Sequence, residues 1–243
     1  MEKNICIVVP IKSTLIDVNS PYISEINDEK PEFVEFRFDF IKRIEDLTIE
    51  FIKELKNLID PKIFTIFTFR HFSEGGNIHI SKDEQLRILK TLINAHPKYI
   101  DIELNSDPKL LNQVVRYAIN SNVKVILSYH DFQKTPNYDE ALELIKEFED
   151  KLISINLDTI TEFVFKFVFT AHKFHDNLIP LKICRNFKKK NRKIISFCMG
   201  EEGIFSRIIC LYTGSFLTYS FISQKIVSGQ INIKLLREFY QII

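Results

Sequence analysis

Eight short β-rich stretches alternate with longer helical patterns along these 243 residues, and this alternation limits the fold more than any other feature. The strand-like stretches cover 5–10, 33–38, 63–69, 99–104, 123–128, 163–169, 194–198 and 215–220. Between them, helical periodicity predicts helices at 49–58, 82–95, 108–120, 138–152, 177–188, 204–211 and 233–240. The first connection, 13–30, gives the weakest helical pattern, because Pro21 interrupts it. Strands joined through helices form right-handed parallel crossovers, and a count of eight favours closure into a barrel. The expected architecture is therefore α/β, a single-domain (β/α)8 TIM barrel spanning residues 1–243. An open doubly wound sheet would carry a Gly-rich phosphate loop after an early strand, and this sequence has none.

Within that frame, the side chains that break the apolar pattern point to chemistry. In Phe163-Val-Phe-Lys166-Phe-Val-Phe169 the four Phe share one face of a strand, while Val164, Lys166 and Val168 share the other. In a barrel that second face is the interior. Burial disfavours an ammonium, so a lysine placed there is suited to act as a neutral nucleophile that forms an imine with a carbonyl. In 33–40, Glu35, Arg37 and Asp39 likewise alternate with Val34, Phe36 and Phe38. A parallel barrel covers both faces of its sheet, so these charges line the interior or its mouth.

Other ionisable groups collect at the C-terminal ends of strands, where a barrel carries its active site. Arg70 ends the third, with Glu74-Gly75-Gly76 in the following loop; Asp101 and Glu103 lie on the fourth; Ser128 and His130 end the fifth. Imidazole titrates near neutrality, which makes His130 the natural acid–base partner for Lys166. His71, His79, His96, His172 and His175 read as surface residues. No carboxylate or thiol set completes a ligand cluster around any of them, so no metal is expected.

Composition narrows the class further. A formal net charge of +1 gives no global attraction to nucleic acid or anionic membrane. The one basic run, 188–193, reads as a solvated helix end. No apolar stretch approaches the ~18 residues of a membrane helix. Cys6, Cys184, Cys198 and Cys210 are widely spaced, as expected of reduced thiols in a cytoplasmic protein. Met1-Glu2-Lys3 runs straight into a strand-like stretch, which leaves no room for a signal peptide.

Seven segments stand out in order: Glu35-Phe-Arg37-Phe-Asp39; Phe69-Arg70 with Glu74-Gly-Gly; Asp101-Ile-Glu103-Leu; and Ser128-Tyr-His130-Asp-Phe. Phe165-Lys166-Phe-Val-Phe, Met199-Gly-Glu-Glu-Gly-Ile-Phe-Ser206-Arg207 and Ser228-Gly-Gln230-Ile complete the set. Together they resemble the type I 3-dehydroquinate dehydratase family. The resemblance implies dehydration of 3-dehydroquinate to 3-dehydroshikimate without metal or cofactor, in the shikimate route to aromatic amino acids. By that carry-over Lys166 forms the imine, His130 moves the protons and Glu74 holds the histidine. Arg207 clamps the substrate carboxylate, while Glu35, Arg37, Arg70 and Gln230 hold the ring hydroxyls and exclude water. The family commonly forms homodimers, and the same is expected here. The last loop departs from the family: Ile226 and Ser228 stand where it often has Ser and Pro, so one hydroxyl and one rigid residue of the family's lid are absent. A class I aldolase would share the barrel and its lysine, but the loops after strands seven and eight offer an Arg and a Gln rather than a Gly-rich phosphate nest.

Overall fold

The structure is a computed structural model, and it describes residues 3–14, 21–157, 163–223 and 225–242. Eight parallel strands follow one another around a ring. They are β1 (Ile5–Pro10), β2 (Phe33–Arg37), β3 (Phe64–Thr68), β4 (Tyr99–Glu103), β5 (Lys124–His130), β6 (Val164–Thr170), β7 (Ile194–Met199) and β8 (Thr218–Phe221). Each pairs with its sequence neighbour from β1 to β7, and β8 pairs with β1. At the β7–β8 seam no ladder forms among the described residues, but Phe216 N donates to Ile194 O at 2.6 Å across it. A two-residue β9 (Ile231–Asn232), absent from the sequence expectation, adds to the far side of β8.

Helices α1 (Pro21–Glu29), α2 (Ile49–Asn57), α3 (Lys82–Asn94) and α4 (Pro108–Asn120) alternate with the first strands, and α5 (Tyr138–Ser154), α6 (Leu178–Lys189), α7 (Ile204–Thr213) and α8 (Ile233–Ile242) with the later ones. Local chemistry sets where they begin. Thr48, Ser81, Asp107 and Asn137 each accept a backbone N–H of the first turn, and Asn137 forms a capping box with Glu140. Such caps are each worth about 1 kcal/mol. Pro21 does not interrupt α1. It opens the helix, where its missing N–H has no partner to lose; residues 15–20 of that connection lie outside the described residues. Among the described residues no helix is long and apolar enough to cross a membrane.

The barrel interior changes character along its axis. Phe33, Tyr99 and Phe216 meet at the N-terminal end with ring centroids 5.5–6.0 Å apart, so the bottom is an aromatic plug. Each such pair adds ~0.5–1.5 kcal/mol beyond its area. Charged side chains occupy the interior towards the C-terminal end. Outside the strands, the outward Phe165 and Phe167 pack on Phe187 of α6 and Phe148 of α5, as the alternation required. All four cysteines are buried and unpaired.

Candidate active site

Lys166 lies on the interior face of β6, with only 4% of its surface exposed. It is not a solitary amine. Its Nζ is 3.0 Å from Asp101 Oδ2 and 3.9 Å from Glu35 Oε1, and it sits 4.6 Å from the ring centroid of Tyr219. Asp101 shares its charge: Oδ1 accepts from Arg70 Nη2 at 2.8 Å and from Ser128 Oγ at 2.6 Å. Arg70 also donates through Nη1 to Glu103 Oε1 at 3.0 Å and Ser128 Oγ at 2.7 Å. Burial alone would raise the Asp101 carboxyl, but Arg70, Lys166, His130 and the Ser128 hydroxyl together hold it well below the usual carboxylate range. Burial works against the Arg70 charge too, and Asp101, Glu103, Glu74 and Glu35 more than restore it. The result is a compensated layer of two cations among buried carboxylates.

His130 ends β5 at the rim of this layer, and its Nδ1 is 3.2 Å from Glu74 Oε2. Burial, then Arg70 and Lys166, hold the imidazole well below its ordinary range. Burial raises the Glu74 carboxyl to about 8, with Glu103 and Asp101 pushing the same way against Arg70. Both shifts disfavour charge on the pair. Phe132 stacks on the imidazole at 6.1 Å and 24°. A side chain at residue 75 would drive its Cβ to 2.6 Å from the Phe132 ring, and φ there is +80°, so glycine is what permits this packing.

Arg207 occupies the first turn of α7, whose start is locked to β7: Ser206 Oγ accepts from Cys198 N and donates to Gly203 O, both at 2.9 Å. Arg207 is 2% exposed as a residue, and its guanidinium carbon lies 4.3 Å from the centroid of the Phe197 ring. Among the described residues it has no carboxylate partner, and its Nε donates to nothing. Burial pushes it down to about 10. An unpaired buried cation costs several kcal/mol, so this wall of the pocket is built for an anion.

Lys166, His130, Glu74, Glu35, Arg37, Arg70, Arg207 and Gln230 all line one pocket at the C-terminal end of the barrel, so the predicted set converges. Two members are partly committed elsewhere. Arg37 forms a bidentate pair with Asp39 at 2.7 and 2.9 Å, because the chain leaves β2 at Arg37 and turns Asp39 back towards it. Gln230 Oε1 accepts from Ile226 N at 2.8 Å and Val227 N at 3.2 Å, which leaves its amide N–H groups for a ligand. The last loop is tied down: Ser228 Oγ and Lys225 Nζ both donate to Glu201 Oε1, at 2.9 and 2.8 Å. Gly229 passes so close to Gly200 that a Cβ would lie 2.2 Å from Gly200 O.

Sequence reading did not assign roles to Asp101, Ser128, Thr68 or Tyr219. Thr68 Oγ1 donates to Glu35 Oε1 at 2.5 Å and orients it; Asp101 and Ser128 had the inward strand positions as their signal. Tyr219 lies in the expected strand 215–220 as well as in β8, but an aromatic among apolar neighbours carries no sign of which groups it meets.

Fold and site define a class: a (β/α)8-barrel enzyme with a buried lysine and a histidine–glutamate pair at the C-terminal mouth, facing an unpaired arginine. The chain belongs to the type I 3-dehydroquinase family, whose sequence model matches residues 5–243. It is 37% identical over 213 residues to the 3-dehydroquinate dehydratase of Methanococcus maripaludis strain C7, covering 87% of this chain and 88% of that one. The Methanocaldococcus jannaschii 3-dehydroquinate dehydratase is 32% identical over 215 residues, 88% of each chain. Among solved structures, type I 3-dehydroquinate dehydratase from Clostridium difficile superposes with a TM-score of 0.84 at 28% identity, covering 99% of this chain and 92% of that one.

Proposed function

We propose that this chain dehydrates 3-dehydroquinate to 3-dehydroshikimate in the shikimate pathway, through an imine on Lys166. One observation carries the reading: the pocket sets a buried amine and an acid–base pair opposite a bare buried guanidinium, and the substrate offers a ketone and a carboxylate. Arg207 takes the carboxylate, where a bidentate pair is geometrically favoured. This delivers the ketone carbon to Lys166 Nζ.

Lys166 passes its ammonium proton to His130 and the freed amine attacks that carbon; the carbonyl oxygen leaves as water with that proton and one from the amine, and an iminium forms. The iminium carries the same positive charge that the ammonium placed beside Asp101, so the compensated layer stabilises it without rearrangement. The iminium acidifies the adjacent carbon. His130 Nε2 removes a proton from it, and the electron pair passes into an enamine. The enamine expels the ring hydroxyl, which leaves as water with the proton from His130, and a second water hydrolyses the conjugated iminium to free Lys166. Glu74 holds His130 through Nδ1. Glu35, Arg37 and Gln230 hold ring hydroxyls. Arg70 reaches the ring with its remaining N–H groups while it fixes Asp101. The covalently modified comenic acid named in the C. difficile structure favours a covalent route. A cytoplasmic setting and a homodimer belong to the same proposal, and sedimentation checks the latter.

Incubation with 3-dehydroquinate should raise ultraviolet absorbance as the conjugated product forms, with or without EDTA. Borohydride added with substrate should inactivate the protein and leave a reduced adduct on the peptide containing Lys166. An adduct on a different lysine, or an active preparation that traps none, overturns the imine assignment.

A further inference from the structure

Arg207 is held at its backbone and left alone at its charge. Ser206 locks the start of α7 to β7, and Thr218 Oγ1 of β8 donates to Arg207 O at 2.8 Å. At the other end of the side chain, among the described residues, Nε has no hydrogen-bond partner and no carboxylate pairs with the guanidinium. What touches it is a ring. The guanidinium carbon lies 4.3 Å from the centroid of Phe197, a buried residue on the interior face of β7. Phe197 reaches that face because its neighbours turn the other way: Ser196 Oγ donates to Phe167 O at 2.7 Å and Cys198 Sγ to Asp176 O at 3.7 Å. The Phe197 ring is braced in turn by Tyr219 of β8, which it meets in a T-shaped contact at 5.9 Å and 64°. Tyr219 has Lys166 Nζ 4.6 Å from its own centroid, and its hydroxyl has no partner among the described residues. All four side chains line the substrate pocket, so two buried cations lie there against one aromatic pair.

A carboxylate beside Arg207 would also keep it still, but it would neutralise the charge and occupy the forked edge that a bidentate ligand needs. A ring face attracts the cation through its quadrupole and engages none of the N–H groups. The guanidinium stays oriented, charged and uncommitted. We propose that Phe197 is the positioning residue of the anion wall: its ring holds the Arg207 fork in the pose that a substrate carboxylate meets, and so selects ketones that carry a carboxylate. The inference rests on the dehydratase reading and names what keeps its anion site ready. A long arginine side chain has many rotamers, and each pose that turns the fork away lowers the apparent affinity in proportion to its population. The ring confines Arg207 to the competent pose before the ligand arrives. Because Phe197 leans on the same Tyr219 that faces Lys166, the anion site and the imine-forming amine are both set from this pair of rings. Phe197 makes and breaks no bond, so its effect belongs to binding and not to the chemical steps.

The test removes the ring's attraction with and without its shape. Phe197→Leu deletes the ring, while a ring-trifluorinated phenylalanine in place of Phe197 fills the same space and depletes the π face. In both proteins KM for 3-dehydroquinate should rise by about tenfold, the order of a desolvated cation–π contact, with kcat within about twofold of wild type. The carboxamide of 3-dehydroquinate keeps the ketone and the ring hydroxyls but offers Arg207 no charge. On that compound both proteins should keep kcat/KM within about twofold of wild type. If the fluorinated protein keeps the wild-type KM for the acid, the proposal is overturned while the dehydratase reading stands, and any loss in Phe197→Leu is then a cavity effect. An equal loss on acid and carboxamide also overturns it, since a pocket that has only changed shape does not tell them apart. Should Phe197→Leu not fold, the fluorinated protein decides alone. A wild-type protein that does not convert 3-dehydroquinate removes the dehydratase reading, and this role of Phe197 with it.

Discussion

Asp101 Oδ2 stands 3.0 Å from Lys166 Nζ at the floor of the pocket, and the Asp101 side chain is fully buried. Asp101→Asn keeps the shape and removes the charge that Lys166 and Arg70 share. Taking one partner from a buried pair costs about 3–5 kcal/mol, and urea unfolding at pH 7 should show a loss of that order. The folded carboxyl lies below its unfolded value, so its contribution is complete above about pH 4 and disappears as the pH falls further towards the folded value. The gap between variant and wild type should therefore be full at pH 7 and close in acid. A gap that stays constant down to pH 2 contradicts the electrostatic account.

Glu74 gives the opposite sign. Its carboxyl is raised to about 8 in the folded protein, so the stability associated with its neutral form is present below about pH 4.5 and lost as the pH rises through 8. Glu74→Gln does not titrate. Its unfolding midpoint should gain on that of wild type across this window, by up to ~1.4 kcal/mol per pH unit. Activity should fall at the same time, mainly in kcat. Parallel stability curves for the two proteins would show that Glu74 is ionised throughout.

Lys166→Ala and His130→Ala should fail in different ways. Without the amine, neither turnover nor capture of substrate occurs. Without the imidazole the amine remains, so a covalent adduct should persist in intact-protein mass spectra while kcat drops by ~10²–10⁴-fold or more. A His130→Ala protein that turns over near the wild-type rate makes His130 a bystander. One that is inactive and forms no adduct places its role in binding or in making the imine.

Arg207 links affinity to instability. Arg207→Met removes an unpaired buried cation, and similar replacements of buried charge by apolar groups are neutral or stabilising by about 1–4 kcal/mol. The same change should raise KM for 3-dehydroquinate by at least about tenfold, the worth of a hydrogen bond to a charged group. Arg207→Lys should recover only part of the affinity, since a point charge cannot form the bidentate pair. Thermal unfolding and steady-state kinetics on the same preparations check both halves. A Met variant that loses stability and keeps its KM contradicts the anion-site assignment.

Much of this was legible in the sequence because parallel barrels leave no ambiguity about strand faces. Once 163–169 is an interior strand, Lys166 must point inward, and the same alternation places Glu35 and Asp101. Alternation does not say which inward neighbours meet. Arg70 binding Asp101, Glu103 and Ser128 at once depends on barrel closure and strand tilt, which bring residues 31, 33 and 58 positions apart into contact. Asp39 was expected with Arg37 in the interior or at its mouth, and it is buried in the turn at the C-terminal end of β2, where it meets Arg37 and the backbone of Arg70.

The seam between β7 and β8 divides the machinery. Lys166 on β6 and Arg207 after β7 belong to one flank, and Tyr219, the tied last loop and Gln230 to the other, which continues into β1. Where other neighbours share a full ladder, these flanks are joined by the Phe216–Ile194 and Gly200–Ser228 backbone hydrogen bonds, by the contacts of Ser228 and Lys225 with Glu201, and by side-chain packing such as Phe197 on Tyr219. The ring is thus closed at this joint by scattered contacts instead of a ladder. The amine and the guanidinium ride on one flank, and the cover over them comes from the other, latched back across the joint through Glu201. A ligand between them therefore touches both sides of the seam.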